Sequence, residues 1–254
     1  MVEISEQLKH LAPNPGRRPL LPELSPQAEL ALLARVLFRE GYDDHIAGHI
    51  TYRQSDDIML VNPWELAWDE LTASDIIQVD LKSGKVVAGE WNVTPAIGLH
   101  IEVHKERPDV QVIIHNHSRY GSIWAAAHRV PPIYDQTSAQ VDGALPLYDE
   151  YAGTVDGEVE AKSAVGALGE HKWALLANHG VFLVARDIRQ AHLRAVTLEW
   201  RCRVAWQVEA LGGGRPLDDQ TATDFGAMVD TNGFPFLWEA MARREIRLAP
   251  EVLR

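Results

Sequence analysis

Cysteine is almost missing from this chain. Cys202 stands alone among 254 residues, so no intrachain disulfide can form and no thiolate cluster can hold a metal. That usage points to a reducing, cytoplasmic setting. No stretch of about 18 uncharged apolar residues occurs, which argues against a membrane-spanning helix. Residues 1–18 lack an uninterrupted apolar segment of the secretory type, being broken by Glu3, Glu6, Lys9, His10 and Pro13. Positive charge is also scarce. The 24 Lys and Arg against 36 Asp and Glu give a formal charge of −12, which repels nucleic-acid backbones and anionic lipid surfaces. Neither nucleic acid nor membrane is expected as a partner, and a small-molecule substrate is. No glycine-rich phosphate cradle is present, because Gly212-Gly213-Gly214 follows a helical pattern and terminates it.

What is present reads as alternating strands and helices. Residues 1–24 carry four prolines without apolar periodicity and read as an arm. Ser25-Pro26 is a cap followed by a first-turn proline, and it opens a helix that Gly41 stops. Short β-like runs follow at 49–53, 58–61, 76–80 and 86–87, in the manner of a meander. Thr94-Pro95 repeats the cap signature and predicts a helix through His104, ending near Pro108. Strand 110–114 leads into His115-Asn116-His117, and Ser118 is a cap for a helix to Ala127. Further on, the pattern predicts a helix over 158–168, strands over 173–176 and 181–184, and a long helix from Asp187 to Gly212. A helix over 236–244 lies in the remaining tail. Helices distributed between strands predict an α/β fold, a sandwich in which helices cover a mixed sheet. The domain expected at 25–212 is followed by a tail, 213–254, that packs on the domain or on a neighbouring subunit.

The strongest chemical signal is His115-x-His117. Alternate residues of a strand point the same way, which sets two imidazoles side by side as a bidentate pair. Alone, such a pair reads more readily as two polar residues at a strand end. His179 adds a third imidazole, and Gly180 beside it allows the sharp turn that would bring it near the first two. Three neutral imidazoles suit zinc first, with manganese, iron or cobalt as alternatives, and leave coordination positions open.

The ordered set formed by helix 25–41, Gly48-His49-Ile50-Thr51, Arg107-Pro108-Asp109-Val110, His115-Asn116-His117-Ser118 and Asn178-His179-Gly180 resembles the class II aldolase/adducin family over residues 25–212. The resemblance implies a three-layer α/β/α sandwich, a homotetramer with active sites at subunit boundaries, and a divalent cation on His115, His117 and His179. It also implies a metal-dependent carbon–carbon lyase, by aldol cleavage or decarboxylation. The chain departs from the sugar-phosphate members of the family. Their Pro-Ser-Ser-Glu segment places a glutamate four residues before a helical histidine, and aligning that histidine with His100 puts Ala96 in the acid's place. Thr94 and Pro95 then cover the two phosphate-holding serines, and Gly48-His49 stands where the family has Gly-Asn. With one hydroxyl and no N–H left at that pair, a non-phosphorylated hydroxy-keto or hydroxyaromatic acid is the expected substrate.

The candidates to replace the missing carboxylate are His49, His100 and Tyr151, with Gly48 and Thr94 as substrate contacts. Glu102, His104, Tyr120, Asp142, Tyr148 and Glu150 are weaker candidates, and His104 reads more readily as part of a hydrogen-bonded helix face. Two other readings of the chain remain: an Fe(II)-dependent oxygenase on the same histidines, and a non-catalytic interaction module of the adducin kind. Trp200 and Trp206 are expected to serve core or subunit packing. The apolar tail around Phe234, Phe236, Leu237 and Trp238 favours an oligomer.

Overall fold

Residues 18–150, 165–166, 168–232 and 234–254 are described by the computed structural model. An eight-stranded sheet is built from β1 (His49–Arg53), β2 (Ile58–Val61), β3 (Ile77–Asp80), β4 (Val86–Ala88), β5 (Val112–Asn116), β6 (Leu147–Tyr148), β7 (Trp173–Leu176) and β8 (Gly180–Ala185). The spatial order is β4-β3-β2-β1-β5-β8-β7-β6. Every neighbouring pair is antiparallel except β6 and β7, which run parallel. The sheet is therefore mixed, as the pattern predicts, and the four N-terminal runs form the expected meander.

Helices cover both faces, which makes the α/β/α sandwich. Alternation along the strands divides the core: Ile50, Leu60, Val112, Ile114, Leu175 and Leu183 pack under α1 (Pro26–Arg39) and the 23-residue α4 (Ile188–Ala210). Ile113, Ala174, Phe182 and Val184 face the other way, with Leu99 and Val103 of α2 (Ile97–Glu106). The short α3 (Gly121–Ala126) follows β5. In the tail, α5 (Asp219–Asn232) and α6 (Pro235–Leu248) precede a final turn at Pro250–Leu253, and Trp238 and Ala242 of α6 join the core beneath α1 and α4.

The caps explain where the helices begin. Ser25 Oγ accepts the Ala28 N–H at 3.2 Å, and Asp187 accepts the Gln190 N–H at 2.8 Å. Thr94 does not cap α2. Its hydroxyl accepts the Ala96 N–H two residues on, at 3.3 Å, so the chain turns locally and the helix starts at Ile97. Helix α3 likewise starts at Gly121 rather than at Ser118, whose carbonyl accepts from Ser122.

Helix α5 was not legible as a helix because its sequence is largely polar. It is anchored by charge: buried Asp230 takes both Nε and Nη2 of Arg194 at 2.8 Å, and Lys172 Nζ at 2.8 Å. Trp200 and Trp206 are 38% and 45% exposed, so α4 turns them outward and core packing does not account for them. Most of the predicted helix 158–168, and residues 1–17 of the arm, lie outside the described residues.

One buried group makes stability depend on acid. His192 of α4 sits beside the Trp238 ring at 5.5 Å, and neither ring nitrogen has a hydrogen-bond partner among the described residues. Burial first, then the Arg244 charge, pulls its pKa down to about 3. Below the ordinary value of 6.5, the unfolded chain binds a proton that the folded chain refuses. Its contribution to stability is complete above pH 6.5 and falls by roughly 1.4 kcal/mol per unit as pH drops toward 3. His192→Leu is expected to remove about one proton from the pH dependence of unfolding in urea, and an unchanged slope would contradict this.

Candidate metal centre

The site is assembled at the middle of the sheet by register. On β1 and β5, His49 lies directly opposite His115, and His115 lies opposite Phe182 of β8. The fourth element is α2, whose His100 packs edge-on against Phe182 at 5.5 Å. His117 lies just past the end of β5, and His179 sits in the tight link between β7 and β8. That link turns because Asn178 adopts φ +55, and because Gly180 has no side chain. A Cβ on Gly180 would stand 2.8 Å from His117 Cδ2 and 2.6 Å from the Asn116 carbonyl oxygen.

The result is a three-imidazole cluster. One ring nitrogen from each of His115, His117 and His179 lies within 4.8 Å of the others. Ring centroids are 4.8 Å apart for His115 and His179, and 4.9 Å for His117 and His179. Two of the rings are held from behind. His115 Nδ1 donates to the Val181 carbonyl at 3.0 Å, which makes Nε2 its lone pair. His117 Nδ1 meets the Asp44 carboxylate at 2.7 Å, and its buried Nε2 has no partner among the described residues. Two imidazoles oriented from behind by a carbonyl and a carboxylate, with a nitrogen left unpaired, form a donor set that fits a divalent transition metal.

Electrostatics favours the form such a cation needs. Burial, followed by the charges of His49, His179 and His117, holds the His115 pKa well below the usual imidazole range. Burial and His117 bring His179 to about 4. Neutral imidazoles carry the lone pairs that bind metals.

The other sequence candidates divide. His49 and His100 reach the site. Their rings are 4.8 Å apart, His49 is also 4.8 Å from His115, and His49 Nδ1 meets His100 Nε2 at 2.8 Å. Burial keeps both neutral, with His100 as the next contributor for His49 and His104 for His100. His104 belongs to the same hydrogen-bonded group. Gly48 lies behind the cluster with its carbonyl bonded to Asn62 Nδ2 and Trp68 Nε1, and a Cβ there would strike Asn116 Nδ2 at 2.1 Å. Thr94 is buried in the turn before α2, whose first turn holds no acidic residue.

Tyr151 lies outside the described residues. Glu102 is paired with Lys105, Asp142 with Lys172, and the Tyr148 hydroxyl donates to Glu150. Tyr120 stacks near Trp206 at 5.8 Å. Sequence reasoning missed Asp44, whose only signal is an acidic pair, Asp43-Asp44, just after the glycine that stops α1. It also missed His128, which is paired with Asp149 and bonded through Nε2 to Asn178, the neighbour of His179.

Asp44→Ala removes the carboxylate behind His117. It is expected to weaken zinc binding by roughly 10–100-fold with little change in thermal stability. Equal affinity in a chelator-competition titration would contradict that role.

The comparisons agree with this geometry. The family described as the Class II Aldolase and Adducin N-terminal domain matches residues 28–206. A 4-hydroxy-3-prenylphenylpyruvate oxygenase/4-hydroxy-3-prenylbenzoate synthase of Streptomyces roseochromogenus subsp. oscitans is 31% identical, covering 86% of this chain and 82% of that protein. A 3,4-dihydroxyphthalate decarboxylase of Arthrobacter keyseri is 29% identical, covering 80% and 86% respectively. The solved structure of L-fuculose 1-phosphate aldolase from Glaciozyma antarctica PI12 superposes with a TM-score of 0.79 at 26% identity, over 94% of this chain and 97% of that one. With the order of its motifs, its sandwich and its histidine cluster all in agreement, the chain belongs to the class II aldolase and adducin family.

Proposed function

We propose that this protein is a divalent-metal-dependent carbon–carbon lyase acting on a non-phosphorylated hydroxy-keto or hydroxyaromatic acid. The observation that carries the reading is the convergence of His115, His117 and His179, with the Val181 carbonyl and the Asp44 carboxylate orienting two of them. Zinc is the first choice of metal, with manganese, iron or cobalt as alternatives. Held by His115, His117 and His179, a divalent cation would supply Lewis-acid polarisation of a substrate carbonyl.

The chain's own groups shape the rest. His49 and His100 lie beside the cluster, and with Ala96 standing where sugar-phosphate members place a carboxylate they are the catalytic candidates. Thr94 offers one hydroxyl, already accepting from Ala96, and Pro95 offers no N–H, so a phosphate dianion would find little to hold it. Gly48, the proposed substrate contact, leaves room for the Asn116 amide and the Trp68 ring, which a Cβ there would meet at 2.1 and 2.6 Å. The decarboxylase name of the Arthrobacter relative supports lyase chemistry on a hydroxyaromatic acid. A second reading, an Fe(II)-dependent oxygenase, is favoured by the oxygenase name of the Streptomyces relative. The retained histidine cluster weighs against a non-catalytic module.

The protein reloaded with zinc, manganese or cobalt is expected to release carbon dioxide or an aldehyde from such acids without consuming oxygen. Turnover that needs both iron and oxygen, and none with the other metals, would replace the lyase reading with the oxygenase one. We also propose a homo-oligomer, a tetramer by family likeness. Its support is the exposure of three large apolar side chains, Ile123, Trp200 and Trp206. A monomeric mass by sedimentation at micromolar concentration would contradict it.

A further inference from the structure

Two of the cluster histidines arrive on separate turns of the chain, and α3 joins those turns. His117 leaves the end of β5, and the chain passes through residues 118–120 into α3. His179 sits in the link 177–179, between Leu176 of β7 and its partner Gly180 of β8. Both ends of α3 are fixed by hydrogen bonds. At its start, the buried Glu199 carboxylate of α4 accepts the Tyr120 N–H at 2.8 Å and the Gly121 N–H at 3.0 Å. A Cβ on Gly121 would stand 2.5 Å from Val181 Cγ1, so the helix lies close against β8. At its end, one carbonyl serves both turns: that of Ala125 accepts the His128 N–H and the Asn178 N–H, each at 3.2 Å. The side chains repeat the contact. Asn178 Nδ2 donates to His128 Nε2 at 2.8 Å, and His128 Nδ1 donates to the Asp149 carboxylate.

His128 and Asn178 also share an unusual backbone. Both are left-handed, at φ +51 and φ +55, a conformation that costs a residue with a Cβ and persists where its neighbours hold it. Asn178 immediately precedes His179, so its dihedral angles set where the next Cα, and with it the His179 ring, stands relative to His117. Apolar packing gives this side of the link little support, because the His128 and Asp149 side chains are 43% and 60% exposed and Asn178 is exposed too. Polar bonds hold it instead. With both ring nitrogens committed, His128 has neither a lone pair nor a hydrogen to spare for acid–base work.

We propose that α3 and the His128 side chain form a brace that sets the His179 ring against His117, with His128, oriented by Asp149, as the positioning residue. The brace acts through Asn178: it holds the left-handed turn from which His179 is presented. Its consequence for metal binding rests on the metal-dependent reading of the site, whereas the brace itself is a property of the folded chain alone.

The test is zinc affinity, measured by chelator competition on the full chain, for His128→Gly, Asn178→Gly and the double variant. Glycine accepts the left-handed backbone at both positions, so each substitution removes the side-chain bond and leaves the turn conformation available. Each single variant is expected to bind zinc roughly three- to tenfold more weakly, the size of one net hydrogen bond, with the thermal midpoint of the metal-free protein unchanged. The double variant is expected to bind no more weakly than Asn178→Gly, because the two residues act through one bond. Wild-type affinity in His128→Gly, or losses that add in the double variant, would overturn the brace. If His128→Gly fails to fold, His128→Asn, which also accepts the left-handed backbone and lacks the ring, takes its place. If Asn178→Gly fails to fold, the affinity of the His128 variant alone decides. A wild-type chain that binds no zinc would defeat the metal reading, and the brace is then decided by hydrogen exchange at the Asn178 N–H. That exchange is expected to be roughly three- to tenfold faster in His128→Gly, and an unchanged rate would overturn the brace.

Discussion

The register between β1 and β5 is the constraint on which the site depends. It sets His49 opposite His115 and Thr51 opposite Ile113, and it turns both His49 and Thr51 toward α2. A slip of one residue would reverse every side chain on β1, driving the histidine and the hydroxyl into the apolar layer under α1 and bringing Ile50 to the site. The register is held from both sides. Ile50 is fully buried in the opposite core, and its backbone N–H donates to Asn62 Oδ1 at 2.6 Å. The packing that stabilises the sheet therefore also positions the chemistry, and His49 and His100 are brought together by a strand and a helix.

The second constraint is dielectric. Five histidines, His49, His100, His104, His115 and His179, lie around one stretch of sheet, and burial is the largest cause that holds the pKa of each below the ordinary imidazole value. A carboxylate in this layer would bring a charge that the apolar neighbours Leu99, Val103 and Phe182 could not solvate. Replacing it with neutral, hydrogen-bonded imidazoles keeps donors and acceptors in place without burying a charge. Asp44, whose carboxylate does touch a cluster histidine, reaches it from the partly exposed rim.

Much of this was legible in the sequence because local rules agree with the tertiary structure. The Ser25-Pro26 and Asp187 caps, the meander and the His115-x-His117 strand end carry their own signals, and the ordered motifs carry the fold. The sequence was misleading where a local choice competes with the rule: Thr94 bonds to Ala96 instead of capping α2. It was silent where the cause is distant. Helix α5 depends on Asp230 meeting Arg194 and Lys172 across the fold, and the hydrogen bonds that join His104 to Thr51, Thr51 to His100 and His100 to His49 depend on a strand and a helix brought together only by folding. His104 looked like a hydrogen-bonded residue of a helix face. It is hydrogen-bonded, but its partner is a hydroxyl that leads to the site.

The central claim is that His115, His117 and His179 hold a metal. The most direct measurement is elemental analysis of protein purified without chelator or polyhistidine tag, beside the His115→Ala/His117→Ala double variant. The account predicts about one divalent transition metal per wild-type chain and none in a folded double variant. A wild-type chain that stays empty after incubation with Zn²⁺, Mn²⁺ and Fe²⁺, or a double variant that retains its metal, would contradict it.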